Sequence, residues 1–330
     1  MGFLKGEDIN LGIARETVRG TPETPSTYIP ARTPTGITLI VDKTPVRETR
    51  GTGMSSQGAV MVQKRAEGDL EFNVRNGTIG FLLLSLLGKV TTSAAGAAYS
   101  HLFEILTGNP QNPTLTLGLS QLGQQDYEYA QCIVTALEIK TPVNDLVNAS
   151  AKFIGKGEST HIDYTVAFPS TDYYFRHYDV VIKIADVVAN LGAASALALK
   201  EFSLNIVNNG RVNQNIGELN PSDVLALMME VTGSFSTDYN GETLHDIYAD
   251  EAYRAMSITM TRTDIDIDSG GGTVRPTITF IMPKVSLTKR DSDRPIDDIS
   301  GENIEFMAHF DETTGYGIQA TVLNNIANYN

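Results

Sequence analysis

The chain has 330 residues, 41% of them hydrophobic, enough to build the cores of two domains of ordinary size. With 39 acidic against 25 basic residues its formal net charge is −14, which argues against a duplex-binding surface, because such a surface gains affinity by neutralising phosphates. A polar start (Gly6, Glu7, Asp8), no apolar run of transmembrane length and a single cysteine, Cys132, lead to the expectation of a soluble protein made in a reducing cytoplasm, without membrane contact or internal disulfide.

In chain order, residues 6–20 alternate weakly and predict a leading strand, and the proline-rich residues 21–34 predict an extended arm. Residues 36–42 alternate through Ile37, Leu39 and Val41 and predict a strand; residues 43–56, charged and glycine-rich without a period, predict a long mobile loop. Leu70, Phe72 and Val74 then alternate with Asp69, Glu71 and Asn73, the signature of a half-buried strand. Asn76-Gly77 turns the chain, Thr78 is placed to cap, and the apolar residues 79–87 predict a short buried helix stopped by Gly88. Residues 91–98 read as a small-residue linker. Strands are predicted over 100–106, 113–119, 127–140 and 147–156, and the aromatic-rich residues 161–178 as a connector packed on both halves.

A related unit returns at residues 230–249, where Val231, Gly233, Phe235, Thr237 and Tyr239 alternate before Asn240-Gly241 and a second short helix capped by Thr243. Gly68 and Gly233 stand half a chain length apart, the mark of a duplicated unit. Around it, strands are predicted over 180–184, 201–207, 285–289 and 303–310, with a long hairpin over 255–282 turning at residues 269–272. Residues 221–230 have helix-like content where the first half has strand, residues 290–301 read as a charged loop, and residues 313–330 as a polar tail. The architecture expected is mainly β: two tandem sandwich- or barrel-type domains, each with a short packed helix.

Catalytic and metal signatures are absent from the pattern. Asp264, Asp266 and Asp268 resemble the start of a calcium loop, but Arg275 stands where the closing Glu should be. The three carboxylates are better read as the wet face of a strand. The five histidines (101, 161, 177, 245 and 309) have no ligand spacing, and the triple glycine 270–272 lacks the Lys-Ser/Thr of a phosphate loop. No serine sits in a nucleophile elbow. No cofactor or metal and no enzymatic activity are expected.

The opening LGIARETVRGTPETP, the GDLEFNVRNGTIGFLLLSLLGK unit, YSHLFEIL, and the later TALEIK and NASAKFIGKG resemble the tail tube proteins of long-tailed, non-contractile bacteriophages, in their double-length form. The resemblance implies β-sandwich domains with a flanking helix, at residues 1–160 (with an N-terminal arm) and 199–330 (with a C-terminal tail), joined by a connector at 161–198. It further implies a virion protein, assembled in the host cytoplasm, whose rings stack into a tube that conducts DNA without binding it specifically. Its partners are then its own copies and the tape measure, tail terminator and tail tip proteins. Three copies, not six, are expected per ring, since each chain resembles two tube domains. The competing expectation is a β-sandwich module for receptor or carbohydrate binding or capsid decoration, disfavoured because the chain has no Trp. An acidic hydrolase is a third class, but no convergent acid pair is identified for it.

Two surfaces follow. The loop at 43–57, with Lys43, Arg47, Glu48, Arg50 and Met54, is expected to reach the neighbouring ring. Candidate lumen residues are the polar-face positions Asp69, Glu71, Glu138, Ser234, Ser236 and Asp238, acidic or neutral because a DNA conduit must not hold its cargo.

Overall fold

Alternating residues build most of this molecule. The computed structural model describes residues 5–33, 36–49, 51, 53–108, 110–161, 163–268, 273–297 and 299–329. The first half comprises β1 (Ile9–Arg15), β2 (Thr27–Ile29), β3 (Thr38–Val46), β4 (Gly58–Asn73), α1 (Ile79–Leu87), β5 (Gly88–Ala95), β6 (Ala98–Ile105), β7 (Leu115–Gln121), β8 (Asp126–Pro142), β9 (Asn148–Gly155) and β10 (Gly157–His161). The second comprises β11 (Val180–Ala185), β12 (Leu199–Val207), β13 (Arg211–Asn213), β14 (Asp223–Leu225), β15 (Glu230–Asp238), α2 (Thr243–Ala249), β16 (Arg254–Thr261), β17 (Thr277–Asp293), β18 (Gly301–Ala308) and β19 (Gln319–Asn324). The fold is mainly β, as expected, with two α-helices among the described residues.

Eight strands form one antiparallel layer in the order β3–β4–β9–β8–β12–β15–β18–β17. The long strands β8 and β17 each serve two layers. The N-terminal part of β8 leaves the eight-stranded layer to pair with β7 and β10, and β7 continues to β1 and β2. The N-terminal part of β17 likewise pairs with β16 and β19, which continue to β11 and to β6 and β5. Between the layers lies one contiguous core holding Leu70, Phe72, Leu137 and Phe153, the α1 leucines 82, 83 and 86, and Phe235, Phe280 and Phe306.

The same pairings occur in both halves. β4 lies between β3 and β9 as β15 lies between β12 and β18, and β8 relates to β7, β9 and β10 as β17 relates to β16, β18 and β19. Gly68 faces Phe153 and Gly233 faces Phe306. The ladder slips by one residue between Val134 and Ala136 in one half and between Leu287 and Lys289 in the other. The halves meet where β12 pairs with the C-terminal part of β8, from Glu201 opposite Pro142 to Val207 opposite Ala136. The connector touches both. Phe175 extends the ladder at Val74 and Val147, while the Arg262 guanidinium donates to the Tyr174 carbonyl (2.6 Å) and Arg176 bridges to Asp264 (2.9 Å).

Several expectations are corrected. Residues 43–46 are not loop but the end of β3, paired with Gly58–Met61 of β4, so the segment is a β-ribbon; Thr44, Val46 and Val60 favour the extended backbone. The 91–98 linker is mostly β5, where Val90, Thr91 and Thr92 support a strand that turns at Gly96 (φ +65°) into β6. Residues 221–230 hold no helix; they pass through β14 into β15, and Asp223 is taken by Arg19 and Gln131 of the first half. The separate 285–289 strand and most of the 290–301 loop's start belong to the single strand β17, and the tail contains β19. Thr78 makes no capping bond: Asp172, almost a hundred residues on, accepts the Gly77 amide at 2.7 Å instead. Thr243 is the first helical residue of α2 rather than its cap. Gly88 does end α1 in the left-handed region (φ 97°). The turn expected at 269–272 lies outside the described residues.

A Cβ at Gly233 would overlap the Phe306 ring and the Ser203 carbonyl, whereas one at Gly58 would meet nothing within 4 Å. We expect Gly233→Ala to cost about 1–3 kcal/mol by overpacking and Gly58→Ala to leave the chemical-denaturation midpoint nearly unchanged.

Candidate assembly surface

The eight-stranded layer has one apolar and one polar face because its strands alternate without interruption. On β4 the buried Leu70 and Phe72 separate the exposed Asp69 and Glu71; on β15 the buried Val231 and Phe235 point opposite to Ser234, Ser236 and Asp238. Cross-strand partners share a face. Glu71 lies opposite Ser150, Ser150 opposite Glu138, Glu138 opposite Asn205, and Asn205 opposite Thr232. The structure therefore brings Asp69, Glu71, Glu138, Ser234, Ser236 and Asp238 onto one face of one sheet. A shallow concavity of about 510 Å³ crosses that face, lined by Lys140, Glu201, Ser203, Ser236, Lys289 and Asn303 among others.

That face is not purely acidic or neutral. Lys140 and Lys152 lie on it, as does Lys289. Lys140 pairs with Glu138 (2.9 Å), and Lys289 with Asp291 (2.7 Å) and Glu305 (3.3 Å), while Lys200 reaches Asp238 at 2.9 Å. Each of these pairs is well exposed, so its contribution to stability is small; what it does is cancel cationic charge locally.

The layer ends in two strands that have a partner on one side only among the described residues: β3, paired with β4, and β17 beyond Val285, paired with β18. At the β17 edge the apolar face holds an ion pair between Arg290 and Glu302, whose side chains are only 11% and 2% exposed. The corresponding positions beside the β8–β9 ladder are Leu137 and Ala149, both in the core.

The β3–β4 ribbon projects beyond the layer. Lys43, Arg47, Glu48 and Met54 are all exposed on it; Lys43 sits in the strand opposite Met61, and Arg50 lies outside the described residues. The Gln57 side chain closes the turn by bonding the Glu48 amide and carbonyl, each at 3.0 Å. Met54 (73% exposed), Val60 (56%) and Val62 (50%) leave apolar surface with no cover in the single chain.

Among the described residues, the other candidate groups are held by separate partners. Asp264, expected on the wet face of a strand, sits in a turn after β16, where the guanidinium groups of Arg262 and Arg176 hold its carboxyl well below the usual carboxylate range. Asp266 accepts the Asp268 and Val274 amides, and Asp268 the Ala97 amide, so the three acids face different partners and form no cation cage. His101 is buried between Thr92, Asn324 and the Ile326 carbonyl, and burial lowers its pKa; His309 bonds Ser286. Cys132 is buried in β8, where burial pushes its thiol far up. Among the described residues Glu242, His245 and Asp246 bring ligand atoms within 4.8 Å of one another, on an exposed acidic turn at the start of α2 to which no other element adds a ligand. Sequence reasoning missed the buried Glu16, which accepts the Gly20 (2.7 Å) and Gln131 (2.6 Å) amides, and the Arg290–Glu302 pair. Both carry charge at positions that alternation alone assigns to core or edge, so no local signal marks them.

The sequence model of one protein family, described as phage tail tube protein, matches residues 6–308. A comparison with curated proteins finds no match.

Removing one partner of a buried ion pair strands the other charge. We expect Glu302→Gln to cost about 3–5 kcal/mol, read from the denaturation midpoint. Joint replacement by Arg290→Leu and Glu302→Ala, which copies the Leu137/Ala149 arrangement, should recover most of that stability and lower the concentration at which the protein aggregates, followed by light scattering.

Proposed function

Because the chain belongs to the phage tail tube protein family, we propose that it is a structural virion protein of a long-tailed, non-contractile phage whose copies form stacked rings, the wall of a conduit for DNA ejection. Each chain supplies two tube units, residues 1–160 and 199–330, joined by the connector at 161–198. Assembly takes place in the host cytoplasm, where the tube forms around a tape measure protein between tip and terminator proteins. The protein performs no catalysis.

One observation carries this reading: an eight-stranded layer, polar on one face and packed on the other, that ends in two open edges. Open edges invite another chain, and a head-to-tail contact that closes makes a ring. Three copies would supply about 24 strands; at about 4.8 Å spacing and about 40° tilt these give a backbone diameter of about 48 Å. Allowing for side chains, a duplex of roughly 20 Å passes with clearance. Two copies would give a backbone diameter of about 32 Å and no clearance, and six about 96 Å, far wider than the cargo needs.

The polar face is the lumen in this reading, with Lys140 and Lys289 tied to acids so that DNA slides past. The β3–β4 ribbon, bearing Lys43, Arg47, Glu48, Arg50 and Met54, is the contact to the next ring, and its exposed Met54, Val60 and Val62 are the surface that contact covers.

Electron microscopy of the concentrated protein tests the whole. We expect hollow tubes with three chains per ring. Dispersed monomers would favour a binding or decoration module, and six chains with residues 199–310 outside the wall would overturn the trimer. Replacing residues 47–57 by a short Gly-Ser turn should leave a folded protein whose rings no longer stack; normal tubes from that variant would remove the ribbon from the ring contact. Asp69→Lys with Glu138→Lys should give assembled tubes a salt-sensitive affinity for DNA. If no binding is measurable in low salt, these residues do not face the channel.

A further inference from the structure

We propose that neighbouring copies join through β3 of one chain and the C-terminal part of β17 of the next, in the register that β12 and β8 use inside the chain. This inference rests on the tube reading and specifies its seam.

β12 stands to β15 as β3 stands to β4, and β17 stands to β18 as β8 stands to β9. Inside the chain the layer continues from β8 across to β12. The same step taken from β17 arrives at a strand equivalent to β12, and the chain has no further copy of one. The equivalent strand is β3, whose outer edge is open.

The register follows from two fixed points. Gly233 faces Leu204 on β12. In the other half Glu67 faces Thr38, which sets Gly68 against Ile37, whose backbone a Cβ on Gly68 would overlap. Thr38, Leu39 and Ile40 thus occupy the places of Asn205, Ile206 and Val207. The second point is the one-residue slip shared by the long strands. Val134 faces Phe153 and Leu287 faces Phe306, with the bulge directly after each. Lys289, Arg290 and Asp291 therefore occupy the places of Ala136, Leu137 and Glu138.

Within the chain Asn205 faces Glu138, Ile206 faces Leu137 and Val207 faces Ala136. Between chains Thr38 then faces Asp291, Leu39 faces Arg290 and Ile40 faces Lys289. The chemistry of each pair is preserved on its own face. Thr38 and Asp291 repeat the polar pair Asn205–Glu138. Leu39 covers the aliphatic stem of Arg290, whose charge stays on Glu302. Ile40 lies along the stem of Lys289, as Val207 lies along Ala136. A slip of one residue would turn Leu39 toward the polar face and Thr38 into the core.

Disulfide trapping reads the seam directly, because directly opposed antiparallel residues lie within disulfide range and the native Cys132 is buried. The protein carrying Thr38→Cys and Asp291→Cys is assembled, oxidised and run on a non-reducing denaturing gel. The one-step-off pair Thr38→Cys with Ser292→Cys is the register control, and Asn205→Cys with Glu138→Cys, which closes within one chain, is the oxidation control. We expect covalent trimers from the first pair, in roughly tenfold excess over any multimer from the off-register pair. Mixing the two single variants should give dimers only, a readout that survives if the double variant assembles poorly.

Tubes visible by microscopy, with the internal control closed but the Thr38/Asp291 pair and the mixed single variants all monomeric, overturn the seam and leave the tube reading standing. Stronger trapping of the off-register pair overturns the register. Covalent hexamers would keep the seam and overturn the three-chain ring. A protein that forms neither tubes nor multimers overturns both readings.

Discussion

A β-strand offers hydrogen-bonding groups along both edges, and every one of them must find a partner or water. That constraint organises this molecule through β8 and β17, which are long enough to serve two layers apiece. The ladders with β7 and β16 slip between Tyr129 and Cys132 and between Met282 and Val285, where each strand passes from the outer packing into the eight-stranded layer. The β8–β12 ladder is the consequence with the widest reach. Because it hydrogen-bonds the first half to the second, the polar residues of both halves come to lie on one continuous face.

The edges left over are treated differently from the internal junction. Where β8 meets β12 the apolar face is plain hydrocarbon, Leu137 beside Ile206. At the end of β17 the same face carries Arg290 and Glu302, inward-pointing charge of the kind that discourages indiscriminate strand pairing. β3 continues into a ribbon containing Pro45, which has no amide to donate. Both features make a poor template for an arbitrary strand while leaving room for a partner of matching register.

Local order was legible in the sequence, and long-range partnership was not. Leu70, Phe72 and Val74 announce a half-buried strand, and residues 79–87 with Gly88 announce a buried helix, because period and terminator are both contained in the segment. The alternation also sorted Asp69, Glu71, Glu138, Ser234, Ser236 and Asp238 onto polar faces, and they share one sheet because the ladders keep parity across four strand pairings. What failed depended on distant residues. Asp172, within the connector, takes the Gly77 amide before α1, and Thr78 makes no capping bond. Residues 43–46 and 91–95 look like loop or linker because their small and charged residues face solvent, yet each is held by a strand opposite. β19 is weak in isolation and exists because β6 and β17 flank it.

The connector between the halves has a kinetic meaning. It is pinned at residues 174–176 to both halves at once, by Phe175 to the ladder at Val74 and Val147 and by Tyr174 and Arg176 to Arg262 and Asp264, so β12 reaches β8 on a tether anchored beside both halves. Two segments on such a tether meet at an effective concentration of order millimolar, whatever the amount of protein in solution. The internal junction therefore closes during folding at a rate independent of dilution, while any contact between separate chains must wait for an encounter. Joining two halves in one polypeptide turns one step of the construction into folding and leaves the other to the concentration of the finished chain.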